Sequence, residues 1–65
     1  MCKYPNIKVK LVGRDGNAFA ILGAVSAALR KGGISQVERD AFFAEATKGD
    51  YNHLLATAME WVEVV

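Results

Sequence analysis

The strongest constraint on this chain is that its 65 residues include one cysteine, Cys2, and one histidine, His53. A single thiol forms no internal disulfide, and no second cysteine or histidine stands at a metal-ligand spacing. A domain of this length buries only about 60% of the surface that its unfolded chain exposes. Because 52% of the residues are apolar, we expect one folded domain over residues 1–65, stabilised by helix packing or by self-association.

The hydropathy pattern gives no sign of a membrane segment. No run of 18 apolar residues occurs, and the N-terminal MCKYPNIKVK has no uninterrupted apolar segment after its lysines. These features predict a cytoplasmic protein with neither a membrane span nor a secretory signal.

Alternation of apolar and basic residues predicts a strand near the N-terminus. The order is Ile7, Lys8, Val9, Lys10, Leu11. This period of two is typical of a strand with one face on a core, which we place at residues 6–12. Pro5 marks its start and suits an edge position.

The first predicted helix covers residues 18–31, with Asn17 or Asp15 as its N-cap and Gly32-Gly33 as its stop. Its large apolar side chains share one face: Ile21, Leu22, Val25 and Leu29. Small residues occupy the opposite side, and only a narrow strip with Phe19, Ser26 and Arg30 contains polar groups. We therefore expect a central helix that is buried on nearly all sides.

The second predicted helix begins at a capping box, in which Ser35 and Glu38 satisfy each other's backbone N–H groups, and ends by Gly49. One side carries small residues with Val37, and the other carries Phe42 and Phe43. Two interpretations follow. Either the phenylalanines form the core and the small face is half exposed, or an aromatic face is left for a partner.

The third predicted helix covers residues 51–60 and is capped by Asp50. The β-branched tail, residues 61–65, favours a short second strand beside the first, although Val62 also continues the helical stripe. The predicted fold is α+β, in the order β-α-α-α-β, with three helices packed on a short two-stranded sheet. The predicted core comprises Ile7, Val9, Leu11, Ile21, Leu22, Val25, Leu29, Phe42, Leu55, Ala58 and Val62.

Two glycines, Gly13 and Gly16, stand three apart before the first helix. Neither a dinucleotide fingerprint nor a P-loop fits their spacing. The segment VGRDG, followed by apolar Phe19 and Ile21, resembles the Gly-x-x-Gly loop of RNA-binding KH domains, which clamps a nucleic-acid backbone. In KH domains that loop joins two helices, whereas here it follows a strand, and Asp15 has the wrong sign to face a phosphate. We therefore favour a strand-to-helix turn with a capping residue.

A longer resemblance covers more of the chain. The Lys-rich strand, the segment DGNAFAILG, the segment GDYNHLL and the closing WVEV together resemble a group of small uncharacterised proteins encoded in bacterial, plasmid and phage genomes. This resemblance implies a small stand-alone bacterial protein and adds no site.

The side chains that could carry chemistry do not form a constellation. His53 lies on the polar stripe of the third helix, where we expect a solvated surface histidine rather than a base oriented for catalysis. Glu38 and Glu45 stand two turns apart and Asp40 points elsewhere, which favours a charged solvent face over a magnesium site. We expect no catalytic, cofactor-binding or metal-binding residues.

Charge is distributed unevenly. Residues 1–31 carry six basic side chains against one acidic, and residues 32–65 carry two basic against six acidic. A nucleic-acid-binding accessory protein using Lys8, Lys10 and Arg14 is therefore the alternative hypothesis. The lysines also suit protection of an edge strand.

The preferred hypothesis is a small non-enzymatic protein-interaction module, either a homodimer or bound to an unidentified protein. The expected contact residues are Phe43 and Trp61, with Arg39 beside them on the second helix. This hypothesis rests on the two-faced second helix and on the surplus of large apolar residues for this length.

Overall fold

A computed structural model describes residues 2–10 and 17–65. Two strands and three helices follow one another in the order β1 (Tyr4–Val9), α1 (Ala18–Lys31), α2 (Gln36–Ala46), α3 (Tyr51–Trp61) and β2 (Val62–Val64). This confirms the predicted α+β fold, in which three helices accompany a two-stranded sheet. None of the helices in the described part of the chain has the length and apolar character needed to cross a bilayer.

The sheet is parallel, a direction that the sequence pattern left open. Tyr4 pairs with Val62 and Val9 pairs with Val64, with an irregularity in the ladder between Tyr4 and Lys8. The three helices supply the long connection that parallel neighbours require. β1 begins two residues before the predicted range 6–12, and the predicted strand positions 11 and 12 lie outside the described residues.

Each helix begins at a side-chain cap. Asn17 Oδ1 accepts from the N–H of Phe19 at 2.9 Å, Asp50 Oδ1 accepts from the N–H of His53 at 2.9 Å, and Ser35 Oγ accepts from the N–H of Glu38 at 3.4 Å. Of the two predicted cap alternatives for α1, the structure uses Asn17. The predicted capping box forms in one direction only, because the Glu38 carboxylate instead accepts a hydrogen bond from Tyr4.

The core differs from the predicted one at three positions. Leu54 and Ala46 are buried, whereas Leu55 is only partly buried at its edge. On α3, Leu54 lies one turn from buried Ala58, so these two side chains share a face, and Leu55 lies one position further round. The buried apolar residues are Ile7, Val9, Ile21, Leu22, Val25, Leu29, Phe42, Ala46, Leu54, Ala58 and Val62, and predicted Leu11 lies outside the described residues.

α1 is buried on one side, so the prediction of a central helix buried on nearly all sides is wrong. Phe19 is 81% exposed, Gly23 is exposed, and a Cβ built on Gly23 would meet nothing within 4 Å in the described residues apart from its chain neighbours and its own helix backbone. A helix with an apolar face wider than its contacts leaves part of that face in water.

The burial of α2 side chains decides between the two interpretations of its opposed faces. Phe42 is fully buried, Phe43 is 49% exposed, and Val37 on the small-residue side is 77% exposed. One phenylalanine therefore serves the core and its neighbour remains available at the surface. The predicted strand in the tail is confirmed at Val62–Val64, whereas Trp61 is the last residue of α3.

Candidate interaction surface

A groove opens between the start of α1 and the turn that joins α2 to α3. Its volume is about 250 Å³. Buried parts of Leu22, Ala46 and Leu54 line it, and the exposed rings of Phe19 and Tyr51 stand at its rim. We call this feature the apolar groove; Ala18, Thr47, Gly49 and Asp50 complete its lining.

Two of the helix caps define the ends of the apolar groove. Asn17 holds the first turn of α1, which carries Ala18 and Phe19, and Asp50 holds the first turn of α3, which carries Tyr51. Gly49 precedes Asp50 because the chain passes close to α3 there: a Cβ at Gly49 would lie 2.9 Å from His53 Cβ. The groove is thus built from fixed helix starts.

Phe43 extends this apolar surface along α2. It lies one helical turn before Thr47, which lines the groove, and such pairs share a helix face; Thr47 Oγ1 donates to the Phe43 carbonyl at 2.8 Å. Arg39 lies one further turn away on the same face, half-buried, and its Nε is buried without a hydrogen-bond partner in the described part of the chain. The two predicted contact residues of α2 therefore follow one row that leads to the groove.

Trp61, the third predicted contact residue, is half-buried and takes part in a different cluster. Its ring lies edge-on to the buried Phe42, with centroids 5.6 Å apart, and is tilted by 47° against the Tyr4 ring at 6.0 Å. Much of the ring therefore packs within the fold. Phe43 lies one helical turn from the groove residue Thr47, whereas Trp61 lies at the β1 side of the core.

Polar contacts tie the start of β1 to α2 at this second cluster. Lys3 Nζ lies 2.6 Å from Glu38 Oε1, which also accepts a hydrogen bond from the Tyr4 hydroxyl at 2.7 Å. Lys3 Nζ further lies 4.2 Å from the centroid of the Trp61 ring. We call these four residues, Lys3, Tyr4, Glu38 and Trp61, the strand clasp.

The electrostatics of the strand clasp follow from the shared Glu38 carboxylate. Its hydrogen bonds from Lys3 and then from Tyr4 lower the pKa of Glu38. The same carboxylate, as hydrogen-bond acceptor, raises the pKa of Lys3 and the pKa of Tyr4. All three groups are thus held in the protonation states that they have at neutral pH.

The predicted nucleic-acid residues form a less concentrated surface. Lys8 and Lys10 are exposed, and Lys8 Nζ lies 4.0 Å from the carboxylate of Glu63 on the neighbouring strand. That carboxylate offsets part of the positive charge. Arg14 and both glycines of the Gly-x-x-Gly segment lie outside the described residues.

His53 lies at the surface, with its side chain 38% exposed, and it also contacts α2. Its Nε2 lies 2.9 Å from the carbonyl oxygen of Glu45 and 3.4 Å from that residue's carboxylate. The buried Thr57 one turn on donates to the His53 carbonyl at 2.8 Å. Sequence reasoning missed this because the contact depends on how α2 meets α3. Within the described residues, no group of three or more His, Cys, Asp or Glu side chains converges to hold a metal.

Comparison of the chain with protein-family models, with curated proteins and with solved structures found no match. The resemblance to small bacterial, plasmid and phage proteins therefore stays a prediction.

Proposed function

We propose that this protein is a small non-enzymatic interaction protein that self-associates through the apolar groove. The observation that carries the proposal is the position of Phe19. This phenylalanine, 81% exposed as a residue, stands at the rim of an apolar depression of about 250 Å³. Large exposed apolar side chains around a concave site are typical of interaction surfaces.

The size of the apolar groove suits a phenyl ring. An apolar protein cavity of about 150 Å³ is large enough to bind benzene, and the groove exceeds that volume. Its floor consists of Leu22, Ala46 and Leu54, which present carbon rather than polar atoms. A ring inserted there exchanges contact with water for contact with this apolar floor.

A second copy of the chain is the occupant that this geometry favours. The ring and the groove lie side by side, so a two-fold axis near Phe19 lets each copy place its ring in the groove of the other. On the α1 side this surface carries no charge, because residues 18–29 contain no charged side chain. Asp50 is the charged residue among those that line the groove, and it is exposed and caps α3. Covering the α1 side therefore desolvates no ion.

The expected dimer is weak. Burying two phenyl rings contributes about 1.5–3 kcal/mol each, while association costs about 4–15 kcal/mol in lost freedom. Phe43 and Tyr51, beside the groove, must add to the contact. A typical interface buries about 800 Å² per partner, which is roughly a fifth of this chain's 4305 Å². We expect a dissociation constant between about 1 µM and 1 mM.

Sedimentation equilibrium over this concentration range tests the proposal. Wild type should approach twice the monomer mass as concentration rises, and Phe19→Ser should remain monomeric because both rings are lost. Val37→Ser is the matched control, since Val37 is also strongly exposed but lies at the opposite end of α2 from the groove. It should associate like wild type.

Filling the groove gives a second test that leaves Phe19 in place. Ala18 lines the groove and is only half-buried, so Ala18→Leu should occupy the space that a partner's ring needs and should abolish the dimer. A strictly monomeric wild type, or a Phe19→Ser variant that dimerises normally, would contradict the proposal.

A further inference from the structure

We propose that the strand clasp is an ammonium-binding site that Lys3 occupies in the free chain. In this view Trp61, Tyr4 and Glu38 form a receptor for a lysine-type ammonium group, and Lys3 is its internal ligand. A partner that presents a lysine side chain, methylated or not, would displace Lys3 and take its place. This inference concerns a different surface from the apolar groove and does not depend on the proposed function.

The contacts of Lys3 are those by which proteins recognise ammonium cations. Its Nζ lies 4.2 Å from the Trp61 ring centroid, 5.8 Å from the Tyr4 ring centroid and 2.6 Å from the Glu38 carboxylate. Cations interact favourably with aromatic faces within about 6 Å, and tryptophan is the most favourable of the rings. The carboxylate supplies the opposite charge.

The receptor groups are held in place by contacts that do not involve Lys3. Trp61 packs against the buried Phe42, and the Tyr4 hydroxyl donates to Glu38 Oε1 at 2.7 Å. Tyr4 belongs to β1, Glu38 to α2 and Trp61 to α3. Because three elements position it, the site should persist when the ammonium leaves, and binding should not require it to reorganise.

Lys3 is the replaceable member of the strand clasp. It precedes β1, and its side chain is about half exposed to solvent. Its backbone N–H donates to the Glu60 carbonyl at 2.7 Å, so the main chain remains anchored when the side chain swings out. As a tethered ligand Lys3 has a high effective concentration at the site. An external ammonium therefore binds weakly until Lys3 is removed.

The only tryptophan of the chain is Trp61, so its fluorescence reports on this site alone. The probes are Nα-acetyl-lysine amide and its trimethylated form, with neutral Nα-acetyl-norleucine amide as the control for the apolar stem. They are titrated, at constant ionic strength, into wild type, Lys3→Met and Lys8→Met. The Lys8→Met variant removes a lysine from β1 that does not contact the aromatic rings.

We expect a saturable fluorescence change with the charged probes in Lys3→Met, with half-saturation at a concentration at least about tenfold lower than in wild type or Lys8→Met. Adding Glu38→Gln to Lys3→Met should weaken that binding about tenfold or more. If folded Lys3→Met gives no saturable change, or responds equally to the norleucine probe, the inference is wrong.

Wild type provides a second measurement if Lys3→Met fails to fold. The ε-methylene protons of Lys3 lie near the Trp61 ring and should show a ring-current shift in the NMR spectrum. Saturating the protein with the trimethylated probe should return these resonances toward the values of an exposed lysine. Resonances that stay in place while the probe rises to saturating concentration would overturn the inference.

Discussion

The strand clasp and the apolar groove contain the same kinds of aromatic residue in opposite situations. At the clasp, Trp61 packs on Phe42, and Tyr4 is fixed by a hydrogen bond to Glu38. At the groove, Phe19 stands largely in water beside a depression that could hold a ring. The same small fold thus packs Trp61 and Tyr4 against their neighbours while it leaves Phe19 in water, which makes the exposure of Phe19 informative.

The largest expected difference in the free energy of unfolding is between alanine substitutions at the two adjoining phenylalanines of α2. Phe42→Ala removes a fully buried ring beneath Trp61 and should lower the free energy of unfolding by about 3–5 kcal/mol. Phe43→Ala, at the adjoining half-exposed position, should cost less than about 1 kcal/mol. Urea denaturation of both variants measures the difference. Similar losses would mean that Phe43 is as well packed as Phe42.

Helix caps provide the next contrast. Asn17→Ala removes an acceptor for two N–H groups at the groove end of α1, at 2.9 and 3.3 Å, and should cost about 1 kcal/mol. Ser35→Ala removes one longer bond of 3.4 Å at the start of α2 and should cost less. Only the first should also weaken association, because it loosens the turn that carries Phe19. If both substitutions weakened association equally, the Asn17 cap would have no specific role in positioning Phe19 at the groove.

The clasp, unlike the groove, should respond to pH. Because Glu38 has a lowered pKa in the folded chain, its contribution is present above the ordinary carboxyl pKa, near 4, and is lost as the pH falls through the lowered value. The melting temperature of wild type should exceed that of Glu38→Gln at neutral pH. The difference should vanish in acid. A constant difference between about pH 7 and pH 2 would show that the carboxylate charge is irrelevant.

The loss of stability at alkaline pH should come from the same hydrogen bonds to Glu38. Lys3 and Tyr4 have raised pKa values, so their contributions are complete below about pH 10 and are lost as the pH rises through the folded-state values. Phe19→Ser should leave both the acid and the alkaline dependence of the melting temperature unchanged. Such a result would show that the pH dependence comes from the strand clasp and not from the apolar groove.

The smallest effect is expected from the basic face of β1. Lys8→Glu with Lys10→Glu should leave self-association unchanged, because neither lysine lines the groove. If the chain instead binds nucleic acid, affinity for DNA or RNA should fall steeply with salt and with this double substitution. Filter binding at low and high salt distinguishes the two cases, and we expect no salt-dependent binding.

Local sequence signals were sufficient for most of the fold. Caps and apolar spacing predicted all three helices, since Asn17, Ser35 and Asp50 act through neighbouring N–H groups. The choice of Leu54 over Leu55 and the parallel direction of the sheet depend on how the helices pack. Such contacts lie beyond the reach of periodicity.

The apolar groove was not predictable in the same way, because it forms where the start of α1 meets the turn between α2 and α3. One signal was available. Phe19 lies on the strip of α1 that also carries Ser26 and Arg30, so its helical position already placed a large ring away from the core face. The small apolar residues on the other sides of α1 obscure this signal, because they suggest a helix that is buried all round.

Isotope-filtered NMR shows directly whether Phe19 of one copy enters the groove of another. A sample mixing labelled and unlabelled chains at millimolar concentration reports only contacts between copies. We expect intermolecular NOEs from the Phe19 ring protons to the methyl groups of Leu22 and Leu54. The claim is contradicted if Phe19 shows no intermolecular NOEs, or if those observed come instead from other exposed residues such as Val37 or Met59.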